Sequence, residues 1–246
     1  MVGVRSTAVA WHDVECASYA ADLELWRELA AAAEGPVLDL GCGTGRVALE
    51  LAERGHAVTA VDADAELVAE LARRARERGL RVDSLAADAR TLALGRRFGF
   101  AFAAMQVVQL LGGRAGRTAL MTRVREHLAP GARFGAALAD PFETVPPADA
   151  LPPLPDVAEL EGWVLSSRPV DVREESHGVA VDRLRQLVSP TGELTEEMNT
   201  VVLESVSADE LEHEAAEAGL IPVGRHQVPA TVDYVGSTVV IVEAPS

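Results

Sequence analysis

Residues 36 to 46 read Pro-Val-Leu-Asp-Leu-Gly-Cys-Gly-Thr-Gly-Arg, a short apolar run that passes directly into three alternating glycines. Val37 to Leu40 predicts a buried strand, and residues 45 to 54 predict a helix that stops at Gly55. The glycines between them predict a turn in which main chain lies bare, so that a ligand can approach it without a Cβ in the way. The helix behind such a turn should offer free N–H groups and the positive end of its dipole, a combination that suits a carboxylate or another anion. A dinucleotide-type turn, G-x-G-x-x-G, would need glycine at position 46. This chain has Arg46, and its spacing is G-x-G-x-G.

The surrounding chain alternates strand-like and helix-like patterns from about residue 18 to residue 140. Tyr19, Leu23, Trp26 and Ala30 share a helical face. Ala57 to Val61 predicts a second strand, and Asp64 an N-cap for a helix carrying Leu67, Val68, Leu71 and Ala75, with Gly79 past its end. Leu80 to Ala86, Phe98 to Ala104 and Ala132 to Ala139 predict further strands. A helix is expected over residues 116 to 129, stopped by Pro130-Gly131. This alternation predicts a parallel sheet with helices on both faces.

The texture then changes. Residues 141 to 155 hold six of the chain's 13 prolines and predict a linker. Residues 161 to 204 alternate at period two, with a turn signal at Ser189-Pro190-Thr191-Gly192, and predict a small antiparallel sheet inserted after strand five. The α/β pattern resumes with a capping box, Ser207-Ala208-Asp209-Glu210. Its helix ends at Gly219, and strands are expected at Leu220 to His226 and Ser237 to Glu243.

Asp39-Leu40-Gly41-Cys42-Gly43-Thr44-Gly45 resembles motif I of the class I S-adenosylmethionine-dependent methyltransferases. Asp62 at the end of the second strand, Ala87-Asp88-Ala89 after the third and Leu128-Ala129-Pro130-Gly131 before the fifth match the family in order and spacing. The resemblance spans roughly residues 18 to 140 and, more loosely, the last helix and two strands. It implies a Rossmann-like, seven-stranded, mostly parallel sheet with helices on both faces plus the small antiparallel insert. The implied division is a cofactor-binding domain at 1–140 and 205–246, with the linker and substrate-covering insert at 141–204.

The resemblance also implies roles. S-adenosyl-L-methionine is the expected cofactor. Gly41, Gly43 and Gly45 should pass close to its methionine portion, and Asp39 should organise the turn and meet the amino group. Asp62 should hold the ribose, Asp88 and the Ala89 backbone the adenine, while Met105 and Gln106 line the sulfonium and the acceptor. Tyr19, on the N-terminal helix, is a candidate lid residue. An antiparallel sheet after strand five implies a small-molecule or peptide-terminus acceptor. Two other readings stay open on the residues alone: a nicotinamide-dependent oxidoreductase, which Arg46 disfavours, and a noncatalytic cofactor-binding module.

A hydroxyl acceptor usually needs a general base. His12, Glu15, Gln109, Asp140, His177 and Tyr234 are candidates by position, with Tyr19, Gln109 and Asp140 the candidate catalytic residues. His12 beside Trp11 reads as a surface pair, and His56 and His127 as structural. No Cys/His cluster has metal-ligand spacing. The net charge of −16 makes nucleic acid a poor partner and leans toward an amine acceptor; every basic residue is Arg. With two cysteines and no apolar run of bilayer length, a cytoplasmic monomer or homodimer is expected.

Overall fold

The computed structural model describes residues 7–139, 154–231 and 234–246. Asp140 and nearly all of the proline-rich stretch lie outside them. The chain begins with α1 (Thr7–Cys16) and α2 (Leu23–Ala31). The α/β core follows as β1 (Val37–Leu40), α3 (Arg46–Glu53), β2 (Val58–Asp62), α4 (Ala65–Glu77), β3 (Val82–Ala86), β4 (Phe98–Ala103), a short 3-10 turn (Val107–Leu110), α5 (Gly113–His127) and β5 (Leu128–Ala139). Four strands form a separate antiparallel sheet: β6 (Asp156–Leu160), β7 (Trp163–Glu175), β8 (Gly178–Val188) and β9 (Leu194–Glu204). The core closes with α6 (Ala208–Glu217), β10 (Ile221–Val228) and β11 (Ser237–Glu243).

The large sheet has the order β10-β11-β5-β4-β1-β2-β3. The five strands from β5 to β3 are parallel, and at the other edge β11 pairs antiparallel with β5 and β10 antiparallel with β11. β1 is buried along its whole length because it lies between β2 and β4, and a strand covered on both faces has no use for polar alternation. Each face carries its own apolar layer. Trp26, Leu51 and Leu71 pack with Phe100 and Phe102 on one side, where Trp26 stacks on Phe102 at 5.1 Å. Leu120, Val124 and Leu211 pack with Phe98 and Phe134 on the other.

The local signals in the sequence hold where they are covalently short. The Asp64 carboxylate accepts from the N–H groups of Glu66 (2.8 Å) and Leu67 (3.3 Å), which starts α4, and such a cap contributes about 1 kcal/mol. Gly79 beyond its end adopts the left-handed φ of 67° that favours glycine. Ser207 and Glu210 form a complete capping box on α6.

Three expectations need correction. Tyr19 is on no helix: it lies in the link between α1 and α2. α1 itself was not anticipated. The helix before β5 ends at His127, and Pro130-Gly131 does not stop it. Leu128 is already extended and pairs with Phe98, and the Pro-Gly pair sits where the β4–β5 register shifts between Phe98 and Phe100. There the strand carries extra residues in an irregularity, which a proline tolerates.

Candidate active site

A cavity of about 440 Å³ opens at the C-terminal ends of β1, β2, β3 and β4, the edge where open α/β sheets bind ligands. Asp39, Asp62 and Asp88 all line it, each supplied by a different strand or strand end. Gly41, Ala89, Met105 and Gln106 line it too. Gly43 and Gly45 shape the turn beside it.

The three carboxylates differ in environment. Asp39 is 2% exposed, and its Oδ1 has no hydrogen-bond partner. Burial, helped by the negative charges of Asp62 and Asp22 and opposed by Arg46, pushes its pKa up to about 8. The Ala48 main chain, in the first turn of α3, favours the ionised form of the same carboxylate. Asp62 accepts from the N–H of Gly43 and from the N–H of Asp64 at 2.9 Å, which leaves lone pairs of both oxygens for a ligand. Asp88 is gripped by the Arg90 side chain and by the Arg90 N–H at 2.8 Å, and these contacts hold its carboxyl below the usual range. Arg90 reaches on to the Leu111 carbonyl at 3.1 Å.

The glycines of the turn are needed for the chain's own packing as well as for access. Gly43 has φ of 53°, and a Cβ there would collide with Nε2 of the His12 imidazole. A Cβ on Gly41 would strike Val107, and one on Gly45 would strike Leu71.

Beyond Met105 and Gln106 lies a second, small cavity of about 40 Å³, lined also by Tyr19, Tyr234, Val235, Ser237 and Ala139. Met105 holds φ of 55°, a left-handed conformation that a non-glycine residue keeps only when its surroundings enforce it. The rings of Tyr19 and Tyr234 meet at 5.1 Å, and the Arg46 guanidinium lies 5.0 Å from the Tyr19 ring centre. Burial and the neighbouring Asp22 raise the Tyr19 phenol above its ordinary pKa, so it stays neutral.

Helix α1 covers this region and ties it to the antiparallel sheet. Asp13 accepts from Thr44 in the glycine turn at 2.8 Å and pairs with Arg74 of α4. Burial opposes the ionisation of Asp13, but the bonds from His12, Arg74 and Thr44 outweigh it and hold the carboxyl far below its ordinary range. Glu15 accepts from Arg185 through both oxygens, each at 2.8 Å, and from Ser167 at 2.7 Å. Trp11 and Val14 are buried against Leu165 of β7. His12 and Trp11 are therefore no surface pair: Trp11 is 5% exposed, and His12 lines the larger cavity.

The remaining candidates fall elsewhere. Gln109 is 4% exposed, and its amide is spent on main chain: it donates to the carbonyls of Ala139 (2.9 Å) and Glu204 (3.3 Å) and accepts from the Ala139 N–H (2.9 Å). It fastens the end of β5 to the end of β9. His177 is exposed in the β7–β8 turn. His127 is structural, accepting from the Leu94 N–H at 2.9 Å. Asp140 lies outside the described residues. Arg46 carried only a negative argument in the sequence, yet it makes a part-buried bidentate pair with Asp22 at 2.6 and 2.8 Å.

Residues 37–131 match the family described as a methyltransferase domain. No curated protein matches the chain. Among solved structures, the CcbJ methyltransferase from Streptomyces caelestis is 25% identical with a TM-score of 0.67, over 93% of this chain and 97% of that one. A sugar N-methyltransferase from a Streptoalloteichus species is 19% identical with a TM-score of 0.70, over 100% and 95%. An S-adenosylmethionine-bound amino pentose methyltransferase from Micromonospora echinaspora is 20% identical with a TM-score of 0.65, over 97% and 92%. The acidic strand that runs into a G-x-G-x-G turn, the Rossmann-like sheet and the antiparallel sheet after β5 agree with these matches: residues 37–131 form a methyltransferase domain, and the chain has the class I methyltransferase fold.

Proposed function

We propose that the protein transfers the methyl group of S-adenosylmethionine to an amine nitrogen of a small molecule held beneath the antiparallel sheet. The observation that carries this reading is the pairing of the two cavities through Met105 and Gln106.

The donor set of the larger cavity fits the cofactor. The bare, buried Oδ1 of Asp39 suits the ammonium of the methionine portion. Asp62, which only accepts hydrogen bonds, suits the two ribose hydroxyls. Asp88, with the Ala89 main chain, suits the adenine amino edge. Gly41, Gly43 and Gly45 let the main chain curve beneath the ligand. In this reading residues 1–140 and 205–246 bind the cofactor, and 141–204 covers the acceptor.

When bound, the cofactor supplies the electrophilic methyl group. The residues of this chain supply alignment and a dry site. Holding donor and acceptor in line can account for about 7–11 kcal/mol of the barrier. The small cavity is lined by two phenols, an amide, a hydroxyl and apolar groups, all neutral. A neutral amine brings its own lone pair to such a pocket, whereas a hydroxyl must first give up a proton. Tyr19, a neutral phenol, can orient that amine but cannot take its proton. The net charge of −16 steers cationic and neutral acceptors toward the protein. The fold is shared with enzymes named as sugar N- and amino pentose methyltransferases, which makes an amino sugar the first acceptor to test.

The test is transfer of radiolabelled methyl groups to a panel of amino sugars, other small amines, phenols and sugar hydroxyls. Amines should be labelled preferentially. Faster labelling of phenols or hydroxyls would overturn the nitrogen assignment.

A further inference from the structure

The loop that leaves β3 carries two charged residues that line the larger cavity and bond to one another, Asp88 and Arg90. Three N–H groups of Arg90 reach the Asp88 carboxylate. The main-chain N–H donates to Oδ1 at 2.8 Å, Nε lies 3.0 Å from each oxygen, and Nη2 donates to Oδ2 at 2.7 Å. A carboxylate has about four lone-pair sites, so room for an outside donor is left. The other end of the guanidinium, Nη1, donates to the Leu111 carbonyl at 3.1 Å. Leu111 follows the 3-10 turn after β4 and lines the same cavity. Arg90 therefore holds the plane of the Asp88 carboxylate and, with its far side, grips a second stretch of the cavity wall.

The side chains of Arg90 and Asp88 are 44% and 37% exposed, and an ion pair so open to water adds only about 0–1 kcal/mol to folding. Its consequence is direction. An aspartate side chain left to itself can visit about three χ1 wells. A planar guanidinium fixed at both ends keeps it in one. An ionised carboxylate only accepts hydrogen bonds. Held in one place, it favours a base that offers an N–H at this edge and penalises one that offers a carbonyl oxygen. Adenine carries an amino group at position 6; hypoxanthine, with the same ring system, carries an oxygen there.

We propose that Arg90 is a positioning residue, which aims the Asp88 carboxylate at the 6-amino group of the cofactor's adenine and thereby sets a preference for adenine over a 6-oxo purine. This inference rests on the cofactor orientation proposed above. It needs no contact between Arg90 and the base, because Arg90 acts through Asp88.

The experiment is calorimetric titration of the full chain with S-adenosylhomocysteine and with S-inosylhomocysteine, in which an oxygen replaces the 6-amino group. The parent should bind the adenosyl compound at least about tenfold more tightly. Arg90→Ala should weaken the adenosyl compound about three- to tenfold and leave the inosyl compound within about twofold of the parent, so that the preference shrinks. Arg90→Lys keeps the charge without the planar fork and should fall between. A thermal melt close to that of the parent shows that both variants are folded. Equal weakening of the two compounds in folded Arg90→Ala would mean that Arg90 shapes the cavity wall without aiming the carboxylate, and would overturn the proposal. So would unchanged binding of the adenosyl compound, or a parent protein that binds the two compounds equally. A parent that binds neither would instead overturn the cofactor orientation itself.

Discussion

The main-chain N–H of Gly43 donates to the Asp62 carboxylate at 2.8 Å, so the side chain that ends β2 also holds the glycine turn after β1. With Asp62 holding the ribose as proposed, loss of this carboxylate removes a ligand contact and a loop anchor together. Asp62→Ala should weaken S-adenosylhomocysteine by about 1–3 kcal/mol. The variant should also unfold at lower temperature without ligand, which a purely ligand-facing residue would not do. Asp62→Asn keeps one acceptor oxygen and should recover part of the loss. Calorimetry and a thermal melt read the two effects separately.

Gly43 and His12 occupy one another's space. Gly43→Ala puts a Cβ into the imidazole and forces a side-chain-bearing residue into a left-handed φ, a strain of about 1–2 kcal/mol before any clash. The single variant should lose more stability than this. Gly43→Ala combined with His12→Ala should recover the stability lost to the clash but not that lost to the strain. A thermal or urea melt of the three variants measures the coupling, and strict additivity would show that the two residues do not press on each other.

Asp39 gives the site a pH signature. Its pKa stands near 8 in the fold against 3.8 for the ordinary group, so the folded state holds this proton more tightly than the unfolded chain. The folded state therefore loses stability from this group as the pH rises from about 4 to about 8. Binding of an ammonium group favours the ionised carboxylate, so affinity for S-adenosylhomocysteine should rise with pH over the upper part of that window. Proton release, read by calorimetry in buffers of different ionisation enthalpy, should be present in the parent and absent in Asp39→Asn.

Arg117 of α5 is 6% exposed and bridges Glu214 of α6 at 2.8 Å and Glu204 of β9 at 3.0 Å. Arg117→Met would leave Glu214, itself 3% exposed, without its partner. The expected loss is about 3–5 kcal/mol of folding stability in a urea titration. Arg117→Met with Glu214→Leu should recover most of it, because the pair is then replaced by apolar groups of similar bulk.

What the sequence revealed and what it concealed divide by distance along the chain. The strand and turn from Val37 to Gly45, the Asp64 cap and the Ser207–Glu210 box are decided within a few residues, and each was legible. The helix α1 was not, because its partners lie far away: Glu15 bonds to Ser167, 152 residues on. Tyr19 was read into a helix because Tyr19, Leu23, Trp26 and Ala30 keep helical spacing across a link. Its burial comes from Tyr234 and Arg46, which no local pattern discloses. The three acidic residues of the cavity were readable from their places at strand ends. The commitment of the Gly41 and Cys42 N–H groups to the Val61 carbonyl was not, since it depends on how β2 pairs with β1.

Ala139 forms part of the wall of the small pocket, and Gln109 binds it to β9 through a single amide. The pocket wall and the antiparallel sheet are thereby riveted at one point. If the antiparallel sheet covers the acceptor as proposed, an acceptor that raises it must drag the wall along, so the shape that admits a substrate and the geometry that presents its reacting atom cannot be tuned independently.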